Sequence, residues 1–176
     1  ILRKWVSPIA IWIDHRVGDK ARHTRLTRRH IEHLAEMTGH PITLVRDAKQ
    51  TNVRLIFSRE INFAKDVRHE LGPTAAKVVP QATCISSLQT ASGVIVKAII
   101  IIPVDRANAQ RKLLACIVEE ITQTLGLPND SNYVFPSIFN DHTPQQLLTG
   151  LDYLLIRILY DPRMRAGMPK DAAMTI

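Results

Sequence analysis

Glu119-Glu120-Ile121-Thr122-Gln123-Thr124-Leu125-Gly126-Leu127-Pro128-Asn129-Asp130 is the stretch on which the reading of this chain turns. It closes a run in which Leu113, Leu114, Ile117, Val118, Ile121 and Leu125 recur at helical spacing, which predicts a helix from Ala107 stopped by Gly126 and Pro128. On that helix Glu119 and Gln123 stand one turn apart on one face, and Glu120 is offset from them by one residue. Asn129 follows three residues past the glycine. Polar side chains gathered at the end of an otherwise apolar helix mark a candidate site.

Working outward, the periodicity changes several times. Lys4–Asp14 carries Ile9, Ile11 and Ile13 at period two, the pattern of a half-buried strand. Asp19–Met37 predicts a mostly solvated helix with Asp19 as its N-cap, a ragged stripe of Ala21, Leu26, Leu34 and Met37, and a stop at Gly39 and Pro41. Ile42–Val45 and Asn52–Ser58 read as strands, and Asp66–Glu70 as a single helical turn. Thr83–Leu88 and Gly93–Ile102 form a hairpin turning at Thr90–Gly93, whose second strand is apolar on both faces and therefore central. Downstream, Thr143 is read as the cap of a helix that starts at Pro144 and runs to Asp161, with a broad apolar face from Leu147 to Leu159. This order predicts one α+β domain over residues 1–165 and a tail over 166–176.

The stretch from Glu119 resembles the HExxHxxGxxH motif of metzincin zinc proteases. There, two histidines one turn apart and a third beyond the glycine hold zinc, while the glutamate takes a proton from the metal-bound water. Glu119, Gln123 and Asn129 stand in the histidine positions, Glu120 in that of the general base, and Gly126 in its own. Ser137-Ile138-Phe139-Asn140-Asp141 is similar to the Met-turn of those enzymes, with Phe139 in place of methionine. Leu148–Tyr160 is similar to their last helix, which ends in a Leu-Tyr pair. The phrases EEITQ, GLPND, SIFND and LYDP also resemble a bacterial family of uncharacterised exported proteins, lipoproteins among them. The resemblance implies a zincin-like fold: a twisted mixed sheet, an early helix, the motif helix and a C-terminal helix. It also implies a periplasmic or envelope location, a lipid anchor upstream, and a disulfide between Cys84 and Cys116 that ties a strand to the helix. Spacing alone leaves those two cysteines open between a bridge and two buried thiols.

Side-chain chemistry argues against zinc. Neutral amide oxygens of Gln123 and Asn129 are poor zinc ligands beside imidazole, so no zinc cofactor is expected. A hard cation such as calcium, magnesium or manganese on Glu119, Glu120, Asp130 and Asp141 is the metal that the residue types allow. Of the seven histidines only His142 is close in sequence to the site; His30 and His33, one turn apart, sit beside Arg28 and Arg29 and read as solvated. Cys116, three residues before Glu119, reads as packed or bridged, not nucleophilic.

The plainer alternative is a buried hydrogen-bond network of Glu119, Gln123, Asn129, Asp130 and Asp141, extended by Ser137, Phe139, Asn140 and Tyr160. The function expected is then non-proteolytic binding of protein or peptide, the partner adding to an edge strand. The alternative is a hydrolase with Glu120 as general base. A third reading is an anionic polymer on the basic helix, because the net charge of +7 is densest over Arg16, Lys20, Arg22, Arg25, Arg28 and Arg29. Nucleic acid is not an expected partner, since no aromatic residues interleave there to stack bases. The longest apolar run, Val94–Val104, contains Lys97 and is far shorter than the roughly 20 residues of a membrane span, so no transmembrane segment is expected.

Overall fold

A computed structural model describes residues 1–140, 142 and 144–176. The elements are β1 (Ile9–His15), α1 (Lys20–Thr38), β2 (Ile42–Val45), β3 (Val53–Ser58), α2 (Glu60–Leu71), β4 (Ile85–Ala91), β5 (Val94–Pro103), α3 (Val104–Ala109), α4 (Leu113–Gln123), α5 (Gly150–Leu159) and α6 (Lys170–Ala173). The strands form one mixed sheet in the order β2-β1-β3-β5-β4. All pairs are parallel except β4 with β5, the hairpin that the turn residues announced. The fold is α+β.

Strand alternation divides the core between two layers. Val53, Leu55, Phe57, Ile100 and Ile102 point to one face, where they pack with Ile31 and Leu34 of α1, Ile117 and Ile121 of α4, and Ile156 and Leu159 of α5. Ile56, Ile99 and Ile101 point to the other and meet Phe63 and Val67 of α2. β5 is thus buried on both sides, which explains its near-continuous apolar run. No helix among the described residues is long and apolar enough to cross a membrane.

Several expectations need correction. α1 has the expected ends, but it is not mostly solvated: His23, Thr27, His30, Ile31, Leu34 and Met37 are buried, while Ala21 is exposed. Its inward stripe is partly polar, with His23 stacked 4.4 Å from Phe57 and His30 bonded to Thr122 Oγ1, so neither histidine is a surface group. Asp19 precedes α1 in a left-handed conformation, φ 58°, and makes no side-chain cap. Asp66 to Glu70 belongs to a full helix, α2. Its charges are matched: Arg16 pairs with Asp14, Asp66 and Glu70, and Arg54 with Asp14 and Glu70. Arg16 is therefore bound within this network instead of belonging to a free basic surface.

The single helix expected from Ala107 is two, α3 and α4, separated at Arg111, whose φ is 58°. The last long helix begins at Gly150, not Pro144, capped by a reciprocal Thr149–Asp152 box; Thr143, the expected cap, lies outside the described residues. Its buried residues are Asp152, Ile156 and Leu159, while Leu147, Leu154 and Ile158 of the expected broad face are exposed. The first strand starts at Ile9, not Lys4. Lys4 instead bridges to Val94, and the Lys4 N–H donates to the Gly93 carbonyl at 3.0 Å.

Candidate functional site

The end of α4 is held from three sides. Cys116 is disulfide-bonded to Cys84, one residue ahead of β4, so the helix is tied to the edge strand. Trp5 Nε1 donates to the Thr124 carbonyl at 2.8 Å, and Tyr160 Oη donates to the Leu125 carbonyl at 3.1 Å. Gly126 then turns the chain at φ 131°, where a Cβ would lie 2.2 Å from the Arg3 carbonyl oxygen. The glycine is demanded by this close approach of backbone as well as by its φ.

Between α4 and residues 81–84, which lead into β4, lies a groove of about 330 Å³, lined among others by Lys112, Cys116, Glu119, Glu120, Gln123 and Asp130. It continues along β4 past Ser86 and Leu88, where Glu120, Gln123 and Asp130 again form the wall. On its other side Glu119 also borders a smaller depression with Arg111, Ile138 and Asn140. Glu120 is 6% exposed and Gln123 7%, so both are wall residues, not surface charges. Gln123 Nε2 donates to Asp130 Oδ1 at 2.6 Å and its Oε1 accepts from Ser86 Oγ at 3.4 Å. The groove thus joins Glu119, Glu120, Gln123 and Asp130, the neighbours that the sequence grouped.

Asn129 does not join them. It is exposed, and the Gln123 amide is bonded to its neighbour Asp130. Asp141, expected beside the site, lies outside the described residues. Ser137, Phe139 and Asn140 are buried but act as supports. Ser137 Oγ donates to Asp152, and the Ile138 N–H donates to Asp152 Oδ2 at 3.0 Å. Phe139 and Ile138 pack against Ala115 and Val118 of α4. Asn140 Nδ2 donates to the Val134 carbonyl at 2.9 Å and so closes the 131–140 loop on itself. Tyr160 is also away from the groove, in the core with Lys4 Nζ 5.1 Å from its ring centre, and burial raises its pKa well above the phenolic range.

Two supports have no role assigned to them by the sequence. Asp152 is fully buried and anchors both the 137–138 turn and the start of α5; its place three residues after Thr149 is a capping-box signal that the chain carries in plain view. His30 is the other. It backs α4 through Thr122, one residue before Gln123, and its burial lowers its pKa to about 3, aided by nearby His33.

The donor set does not suit zinc. Gln123 and Asn129 carry neutral amide oxygens, poor zinc ligands beside imidazole, and the Gln123 amide is already engaged with Asp130. What the groove offers is carboxylate and amide oxygen beside an open sheet edge.

An α+β domain with a mixed five-stranded sheet and a polar groove against its antiparallel edge strand is the class that this geometry defines. The chain belongs to the family described as Protein of unknown function (DUF2927), whose model matches residues 1–176. Comparison with curated proteins and with solved structures gives no match.

Proposed function

We propose that this is a zincin-like domain that has kept the scaffold of a metalloprotease without its metal chemistry, and that it binds an extended protein segment without cutting it. The observation that carries the reading is β4. It lies at the edge of the sheet, paired only with β5, and the groove walled by Glu120, Gln123 and Asp130 runs beside it. An incoming strand adds main-chain hydrogen bonds to such an edge, and the groove wall then sorts its side chains. The order of strand, helix, strands, hairpin, motif helix and closing helix supports the zincin-like part. The disulfide supports an oxidising compartment such as the periplasm or envelope.

A hydrolase is the second reading, favoured by the position of Glu120 in the same wall, where it borders the path of a bound segment. One set of measurements separates the two. Selection of binders from a library of unstructured peptides, followed by amide hydrogen exchange, is expected to slow exchange over residues 85–91 and leave residues 42–45 unchanged. Cleavage of those peptides that stops in Glu120→Gln, together with a stoichiometric metal in protein purified without chelator, would overturn the binding reading.

A further inference from the structure

At the edge of the sheet opposite β4 there is a second cavity, and no role described so far uses it. It lies between α1 and the carboxyl ends of β1 and β2, has a volume of about 490 Å³, and is lined by Trp12, His15, Thr24, Arg28, Leu44 and Arg46 among others. β1 and β2 are adjacent parallel strands, ending at His15 and Val45, and Arg46 follows directly.

The charge of the lining is one-sided. Arg28 and Arg46 come from different elements and converge on the cavity, and neither pairs with a carboxylate among the described residues. The lining contains no carboxylate among the described residues, and Asp14, next to Ile13, is held by Arg16 and Arg54. Two guanidinium groups without a counter-charge form a receptor for an oxyanion, each able to donate two parallel N–H bonds. The rest of the wall is not that of a simple ion site. Ile13 and Leu44 supply apolar surface on the face of the sheet that α1 covers, and the Thr24 hydroxyl, 3.3 Å from His15 Nε2, adds a directional polar group. The volume exceeds the needs of a lone phosphate and falls in the range of small-molecule pockets.

We infer that this cavity binds a small organic anion: a phosphate or carboxylate held by Arg28 and Arg46, carried on a small apolar group that rests against Ile13 and Leu44. The inference is independent of the β4 groove, since the two lie on opposite edges of the sheet. It also differs from a polymer spread along α1, which would use Arg22, Arg25 and Arg29 and have no need of Arg46.

Phenyl phosphate, benzoate and inorganic phosphate serve as probes on the whole chain, with calorimetry giving affinity and stoichiometry. Saturable one-to-one binding of phenyl phosphate or benzoate is expected, about ten-fold tighter for phenyl phosphate than for inorganic phosphate. Arg28→Gln and Arg46→Gln are each expected to weaken it about ten-fold, and Leu44→Ser to reduce the preference for phenyl phosphate over inorganic phosphate. Both arginines are exposed, so their replacement leaves the fold intact. Absence of saturable binding by either organic anion overturns the inference, as does binding indifferent to both arginine changes. Tighter binding of a heparin fragment that depends on Arg22, Arg25 and Arg29 but not Arg46 overturns it in favour of a polymer on α1.

Discussion

Lowering the pH from 7 to 5 is predicted to destabilise the fold by roughly 2 kcal/mol through His30 alone. His30 is 7% exposed, and its Nε2 lies 3.0 Å from Thr122 Oγ1. The Thr122 hydroxyl donates to the Val118 carbonyl at 2.5 Å, so it accepts from His30, which assigns the proton of the neutral ring to Nε2. A second proton would charge a ring enclosed between α1 and α4, and burial therefore lowers the folded pKa to about 3 from the ordinary 6.5. Between those values the unfolded chain holds more protons than the folded one, so the contribution of His30 is complete above 6.5 and is lost as pH falls towards 3. At pH 5 the loss is about 1.5 pH units of linkage, or roughly 2 kcal/mol. For a domain of this length that lowers the melting temperature by about 4 to 8 °C. His15 and His23 also have lowered pKa values, chiefly from burial, so wild type alone does not isolate the effect. Calorimetric melts of wild type and His30→Gln at pH 7, 6 and 5 do, because only their difference in slope belongs to His30. Equal slopes within about 0.5 kcal/mol would refute the reasoning.

Reduction of Cys84–Cys116, or Cys84→Ser with Cys116→Ser, is expected to cost about 4 kcal/mol in urea unfolding, from a separation of 32 residues in the loop-closure model. Alkylation before and after reduction should count zero and then two reactive thiols by intact mass. Gly126→Ala is expected to lose more than about 2 kcal/mol, since the new methyl meets the Arg3 carbonyl and φ stays at 131°; an unchanged urea midpoint contradicts the role given to that approach. Asp152→Ala removes the acceptor of the Ser137 hydroxyl and of the Ile138 and Thr149 N–H groups and is expected to cost about 3 kcal/mol. Limited proteolysis should then cut the 131–140 loop faster than in wild type.

The parts of this fold that could be read from sequence are those decided locally. Ile9, Ile11 and Ile13 alternate because β1 is half covered, and Ser92–Gly93 turns the β4–β5 hairpin with both residues at positive φ. Gly126 ends the motif helix where expected, but its start was hidden. Ala107 and Leu113–Ile121 keep one apolar rhythm across the break at Arg111, and arginine carries no turn signal. Polar burial was hidden for another reason. Whether His23 and His30 face water depends on Phe57 and Thr122, which lie far along the chain, and no window of sequence contains both members of either pair. α2 looked weak because Asp66 and Glu70 sit on its inward side, acceptable only once Arg16 and Arg54 arrive from β1 and β3. At the site, the spacing brought Glu119, Glu120, Gln123 and Asp130 together correctly, since helix geometry fixes most of it. Asn129 lies beyond Gly126, where the backbone passes close to Arg3, so helix spacing does not reach it.

The edge strand β4 is fastened at both ends. Cys84 bonds it to α4 on one side, and at the other its hairpin tip is wedged between the backbones of Leu2, Lys4 and Gly167, where a Cβ on Gly93 would lie 2.2 Å from the Gly167 nitrogen. A strand stretched between two fixed points has little freedom left to lose. When another segment pairs with it, the ordering entropy of about 1 to 2 kcal/mol per residue falls on the newcomer alone. Under the proposed binding function, the edge would discriminate by stiffness before side chain, favouring segments already extended by proline or β-branched residues over supple ones. Reducing the disulfide frees one end and blunts that preference.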